Sequence, residues 1–144
     1  DNGRSRGLGD VYKRQIAWDI LNNKNELTFS LFEATENVDE GFIYDKISIP
    51  LNGTELNDEL RNIQSEVTFS MIVNYIKNFP NNSSSPQQGT STWNRKRTTK
   101  DSELDIDKSI SDQINLLRIV DNKLYPAHFY YKGEKFILKI NKEK

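Results

Sequence analysis

Between Leu27 and Glu33 the chain sets Leu27, Phe29 and Leu31 against Thr28 and Ser30, the period of two expected of a half-buried strand. Phe32 breaks the alternation, as a strand covered on both faces would. A second strand is predicted over Phe42 to Ile49, with Ile43, Ile47 and Ile49 on one face and Pro50 closing it. Leu51-Asn52-Gly53-Thr54 reads as a turn in which Thr54 caps a helix, followed by Glu55, Asp58 and Glu59 at the positive end of its dipole. Leu56, Leu60, Ile63, Val67, Met71 and Tyr75 then recur every three or four positions, predicting one long amphipathic helix that ends before Pro80. Upstream, Ile16, Trp18, Ile20 and Leu21 predict a short helix already under way, with Trp18 filling core space.

Beyond Pro80 the apolar signal stops. Asn81 to Thr92 (NNSSSPQQGTST) offers no side chain to anchor it and is rich in turn formers, so residues 81–92 are expected to be a linker. The region beyond it, 93–144, is expected to be a small subdomain. Trp93 to Asp107 is predicted to be extended, Ser109 to Val120 helical through Ile110, Ile114 and Leu117, and His128 to Tyr131 to pair with Phe136 to Ile140 across Lys132-Gly133-Glu134-Lys135. Gly133 supplies the positive φ that a tight hairpin turn requires. So small a tail needs to dock on the preceding part or on a second subunit, and a homodimer through the hairpin is one expectation.

The first fifteen residues, DNGRSRGLGDVYKRQ, carry no strand or helix periodicity and read as unstructured. They resemble a translated sequencing adapter; the alternative is a disordered basic tail. Setting them aside changes the charge. The whole chain has a formal net charge of −1, and the remainder carries −3.

Composition narrows the chemistry. With 35% hydrophobic and 28% charged residues the 144-residue chain suits one soluble domain, or one domain and an appendage. Basic and acidic residues are interspersed, leaving no stripe to track a phosphate backbone, so nucleic acid is not an expected partner. The absence of Cys excludes disulfides, thiolate nucleophiles and Cys-based zinc sites, and a single histidine, His128, argues against a multi-His metal centre. Apolar runs such as Phe136 to Leu138 are too short to span a bilayer, so no membrane partner is expected and a cytoplasmic location fits best.

The candidate chemistry lies in the loop between the first two strands. Asp39 stands just ahead of Glu40-Gly41, where a rigid pair of strands can aim a carboxylate while the loop backbone stays free to hydrogen-bond a ligand. Taken by itself, an acidic loop tip favours a solvated turn over a catalytic carboxylate. Read as one string, LTFSLFEATENVDEGFIYDKISI resembles the second half of the catalytic domain of folate-dependent formyltransferases, in which a strand, a loop ending in Asp-x-Gly, a return strand and a long helix succeed one another. The tail is similar to the post-catalytic region of sugar N-formyltransferases through Trp93-Asn94-Arg95-Lys96-Arg97-Thr98, Asp101, Leu104-Asp105-Ile106, Asn115-Leu116-Leu117-Arg118 and Tyr125-Pro126. The ordered set spans Trp18 to about Ile140.

The resemblance implies an α/β fold: the C-terminal part of a Rossmann-like formyltransferase catalytic domain over residues 16–80, then a small α+β tail with a β-hairpin. It implies that Asp39 is the catalytic aspartate of an Asn, His, Asp constellation. It also implies that the backbone of Thr35, Glu36, Asn37 and Val38 lines the pterin site of 10-formyltetrahydrofolate, and that the acceptor is the amine of a nucleotide-linked amino sugar. The family's Asn-x-His segment precedes the matched region, where this sequence has its leader, and His128 does not replace it. As given, the chain is therefore expected to be inactive. A methionyl-tRNA formyltransferase fragment and a non-catalytic binding remnant are the alternatives. Among the remaining polar residues, Arg95-Lys96-Arg97 suits either a nucleotide diphosphate or pairing with Asp101, Glu103, Asp105 and Asp107, and Arg118 is expected to join the same carboxylates. His128 is expected to pack in the hairpin.

Overall fold

The computed structural model describes the backbone of residues 8–33, 41–87 and 94–143, and the side chains of those residues from Gln15 onward. In chain order the elements are helix α1 (Leu8–Leu21), strands β1 (Glu26–Phe32) and β2 (Ile43–Pro50), helix α2 (Asn57–Asn78), 3-10 turns at Thr99–Ser102 and Ser111–Gln113, helix α3 (Ile114–Ile119) and strands β3 (Ala127–Tyr131) and β4 (Glu134–Leu138). Helices and two small antiparallel sheets make a mixed α/β chain. It divides into two compact units, one of residues 26–51 and 58–93, the other of 1–25, 52–57 and 94–144. No helix among the described residues is long and apolar enough to cross a membrane.

In the first unit β1 and β2 pair antiparallel, and the side-chain period of two decides which residues meet. Leu27 lies opposite Ile49 and Phe29 opposite Ile47, so the aliphatic positions share the buried face, with Leu27 and Phe29 almost fully enclosed. On the other face Thr28 and Ser48 join hydroxyls at 2.9 Å. The broken alternation at Phe32 has a local cause, because the register shifts between Leu31 and Phe32 and Phe32 pairs with Ile43. Such a bulge leaves one extra residue on the partner strand. That residue is Tyr44, whose ring meets Tyr75 of α2 edge-on at 5.0 Å.

Helix α2 starts at Asn57, three residues later than expected, with Asp58 and Glu59 in its first turn and Lys77 in its last. Leu60 and Met71 are buried on the face the periodicity predicted. A second apolar row, Phe69, Ile72 and Ile76, recurs at helical spacing and is exposed. The described part of the stretch expected as linker is tied down: Ser85 and Ile43 exchange backbone hydrogen bonds of 2.7 and 2.9 Å. Asn82 also donates to the Tyr75 carbonyl at 3.2 Å.

The other unit corrects two expectations. Residues 8–15, expected to be unstructured, belong to α1. Nor does the predicted long tail helix form as one piece, since a 3-10 turn precedes the six-residue α3. Leu117, Val120 and Ala127 form its core, with Leu104, Leu116, Leu138 and Ile140 packed around them. The hairpin is tighter than predicted: Tyr131 faces Glu134 across Lys132-Gly133, both with positive φ (48° and 84°). Two consecutive positive-φ residues match the right-handed twist of the strands, and glycine takes the second position without steric cost.

Arg118 does not meet the acidic run that lies beyond Arg97. It is buried in α3, where its Nε donates to the Glu55 carbonyl at 3.1 Å and its Nη2 to the Glu55 carboxylate at 3.0 Å. Its Nη1 donates to Asn115 Oδ1 at 2.9 Å, and Asn115 donates in turn to Asn23 at 2.7 Å. Glu55, outside the helix it was expected to open, accepts from the backbone N–H groups of Asn52 (2.6 Å) and Gly53 (3.1 Å). Burial pushes the Glu55 carboxyl up, but the donors at Asn52, its own backbone N–H, the Arg118 guanidinium and Gly53 outweigh it, and the net shift is down.

Removing one partner of a buried pair strands the other charge, so Arg118→Ala is expected to cost about 3–5 kcal/mol, against under about 1.5 kcal/mol for Thr28→Ala in the exposed hydroxyl pair, both read from urea denaturation. Because the carboxyl of Glu55 titrates lower in the folded chain, the unfolded chain binds the proton first as pH falls. Its stabilisation is complete above the ordinary glutamate value of 4.5 and declines as pH drops below it, which denaturation midpoints across pH 3–6 will show.

Candidate functional site

The loop that carries the candidate chemistry leaves β1 and returns to β2. Asp39, Thr35, Glu36, Asn37 and Val38 lie outside the described residues, as does Trp93. The structure places the frame that holds them. Glu33, the last described residue before the loop, donates its N–H to the carbonyl of Phe42 at 2.9 Å, so the two ends of the 34–40 segment are joined by one backbone hydrogen bond. Behind this mouth stand the bulge at Leu31/Phe32 and the Tyr44–Tyr75 ring contact. A bulge beside a functional loop bends and twists its strand and so re-aims the loop that the strand carries.

Gly41 is required at the mouth by close approach rather than by its backbone angle. It is buried, and a Cβ there would sit 1.9 Å from the Glu33 carbonyl oxygen and 2.9 Å from its carbon. Those are backbone atoms, with no flexible side chain to move aside. The glycine of Asp39-Glu40-Gly41 therefore lets the strand ends come within hydrogen-bonding distance.

The basic segment of the tail is occupied within its own unit. Arg95 grips Asp101 with both terminal nitrogens, one at 2.8 Å, while the same carboxylate accepts from Thr98 N (2.6 Å) and Thr98 Oγ1 (3.0 Å). The Arg95 hydrogen bonds and the Thr98 donors hold the Asp101 carboxyl well below the usual range, against the opposing effect of burial. Arg97 donates to the Asp101 carbonyl at 2.7 Å, and its buried Nε has no hydrogen-bond partner among the described residues. Of the two readings of Arg95-Lys96-Arg97, intramolecular pairing is the one realised for Arg95 and Arg97; Lys96 is exposed. Trp18 is half-buried rather than a core filler: its indole N–H donates to the Arg95 carbonyl at 3.0 Å and its ring lies 5.2 Å beneath that guanidinium.

His128 is a packing residue. It sits in β3 almost wholly buried, passes its carbonyl to the N–H of Leu104 at 2.7 Å and meets the Tyr130 ring edge-on at 6.1 Å. The pairing that sequence reasoning missed is Glu55 with Arg118. Sixty-three positions separate them, and the helical spacing of Glu55 with Asp58 and Glu59 pointed elsewhere.

No protein-family model matches the sequence, and no curated protein matches it. Solved structures do. The chain is similar to a methionyl-tRNA formyltransferase from Clostridium thermocellum at 17% identity and a TM-score of 0.70, covering 90% of this chain and 56% of that one. It is similar to a 4-N formyltransferase from Francisella tularensis at 23% identity and a TM-score of 0.61, covering 89% and 55%. A variant of HypX from Aquifex aeolicus matches at 18% identity and a TM-score of 0.68, covering 88% and 23%. The fold is that of part of a formyltransferase chain, and the sequence spans little more than half the length of the first two.

Gly41→Ala forces the strand ends apart. It is expected to abolish the protection of the Glu33 amide against hydrogen exchange while leaving the Leu27–Ile49 end of the ladder protected, a contrast that site-resolved exchange will read.

Proposed function

We propose that this chain is part of a folate-dependent N-formyltransferase whose complete form moves a formyl group from 10-formyltetrahydrofolate to the amine of a nucleotide-linked amino sugar. The observation that carries the reading is the strand–loop–strand frame closed by Glu33, Gly41 and Phe42, in a fold shared with part of the formyltransferases. Residues 16–80 are then a partial catalytic domain, 81–92 a linker and 93–144 a C-terminal subdomain, in a protein that works in the cytoplasm. The exposed row Phe69, Ile72 and Ile76 supports the view that the chain is a piece of something larger.

Formyl transfer joins the amine nitrogen to the formyl carbon, passes through a tetrahedral species and releases the folate nitrogen, while the amine gives up a proton. The group supplied by the folate is the activated formyl itself. On this reading Asp39 holds the histidine of an Asn-x-His segment in its working protonation state and orders the water that carries the proton. The backbone of Thr35, Glu36, Asn37 and Val38 presents amides and carbonyls to the pterin. A net charge of −3 outside the leader weighs against a tRNA acceptor, which calls for a basic surface. The outer edge of β4 has no strand partner among the described residues, and Phe136 and Ile137 on it are exposed, which supports a homodimer through the hairpin.

In the complete protein, Asp39→Asn is expected to lower kcat/KM for a nucleotide-linked amino sugar by about 10²–10⁴ with the fold intact. The 144-residue chain alone is expected to show no turnover above background with the same panel of sugars, and an Asp39→Asn enzyme of full activity would refute the assignment. Light scattering of the complete protein is expected to give the mass of a dimer; a monomer would remove the hairpin interface.

A further inference from the structure

The chain contains two Asn-Gly dipeptides, Asn2-Gly3 in the leader and Asn52-Gly53 in the turn ahead of α2. Only the second lies among the described residues. We propose that Asn52 is a deamidation site held in check by Glu55, so that the ion pair of Glu55 with Arg118 sets how fast the Asn52 side-chain amide is lost.

An asparagine side chain is lost when the backbone nitrogen of the next residue attacks its carbonyl carbon. Here a solvent base removes the Gly53 N–H proton, a bond forms between Gly53 N and Asn52 Cγ, and the Cγ–Nδ2 bond breaks as ammonia leaves. Water then opens the cyclic imide, at Cγ to give aspartate or at the main-chain carbonyl to give isoaspartate. Neither step changes an oxidation state. Glycine permits the attack best, because no Cβ crowds its nitrogen. In this turn Asn52 and Gly53 are both exposed, Gly53 has a φ of 83°, and a Cβ built on it would find nothing within 4 Å. The imide has room to form, and water can reach it.

The attacking nitrogen is nevertheless engaged. Gly53 N–H donates to Glu55 Oε2 at 3.1 Å, and Asn52 N–H donates to Oε1 of the same carboxylate at 2.6 Å. A carboxylate beside the nitrogen disfavours its deprotonation by like charge, and the hydrogen bond must break before the nitrogen can turn toward Cγ. Glu55 is held in turn, since it is buried and its Oε2 also accepts from Arg118 Nη2 at 3.0 Å. A reactive dipeptide thus keeps its proton through a carboxylate that a guanidinium from α3 fixes in place. Conversion undoes that grip: it sets a second carboxylate beside Glu55 and, in the isoaspartyl product, reroutes the main chain through Cβ. None of this depends on Asp39 or on formyl transfer, and it would stand if that reading failed.

The test is peptide mapping by mass spectrometry of the 144-residue chain aged in warm neutral buffer, folded and in urea, with isoaspartate read by enzymatic methyl incorporation. The folded chain is expected to convert Asn52 at least about tenfold more slowly than the chain in urea, the factor that one charge-assisted hydrogen bond carries. Glu55→Gln is expected to raise the folded rate about tenfold, whereas Thr54→Ala, at an exposed neighbour, leaves it unchanged. Protection of the Leu117 and Ile119 amides of α3 against hydrogen exchange shows that the core stands in each variant. Should Glu55→Gln lose that protection, Glu55→Asp, which keeps the charge and shortens its reach, is measured with the same expectation. Chains converted at Asn52 are expected to denature at a lower urea concentration. Equal rates in the folded and unfolded chain, an unchanged rate in the Glu55 variant, or an unchanged denaturation midpoint after conversion would each overturn the proposal.

Discussion

The ion pair between Glu55 and Arg118 fixes more of this chain than any other single contact. Both side chains are almost excluded from water, and a buried charge survives only when its hydrogen bonds are met. Here they are met from three directions: the turn at Asn52 and Gly53 offers two amides, Glu55 returns its own carbonyl to Arg118, and Asn115 and Asn23 take up the remaining end. The pair thereby joins the 52–57 segment to α3, and α3 supplies Leu117 and Val120 to the core on which the hairpin packs. A long-range polar contact of this kind selects one arrangement of segments that apolar contacts alone would allow to slide.

The same economy governs the strand pair. The ladder from Leu27 to Leu31 is regular, then one bulge changes the register and one glycine permits the closing hydrogen bond. The segment between Glu33 and Gly41 thus springs from a base that backbone geometry defines closely.

Much of this was legible in the sequence. Period-two alternation located β1 and β2 to within a residue, the three-four spacing located α2, and Gly133 marked the hairpin turn. The misses have physical reasons. Local pattern cannot see partners far apart in the chain, so Glu55 was read by its neighbours as a helix-opening residue rather than by its distant guanidinium. The long tail helix breaks where the Gln113 side chain hydrogen-bonds the backbone of Asp105, Lys108 and Ser109, and the Ser109 hydroxyl accepts from the Asp112 N–H, around a 3-10 turn, an alternative that such side chains offer to the helix. Residues 8–15 lack periodicity yet are helical, forming the first part of the helix that Ile16 to Leu21 completes. For the site, the sequence offered the loop and Asp39 as candidates, which lie outside the described residues, and the structure supplied the reason for Gly41.

We propose that the 34–40 loop is the folate-contacting part of a formyltransferase. The direct measurement is calorimetric binding of 5-formyltetrahydrofolate, an unreactive analogue of the donor, to the complete protein and to a version with residues 34–40 replaced by a Gly/Ser segment of equal length. Loss of binding in the replacement, with thermal stability unchanged, is the result predicted. Undiminished binding would contradict the account.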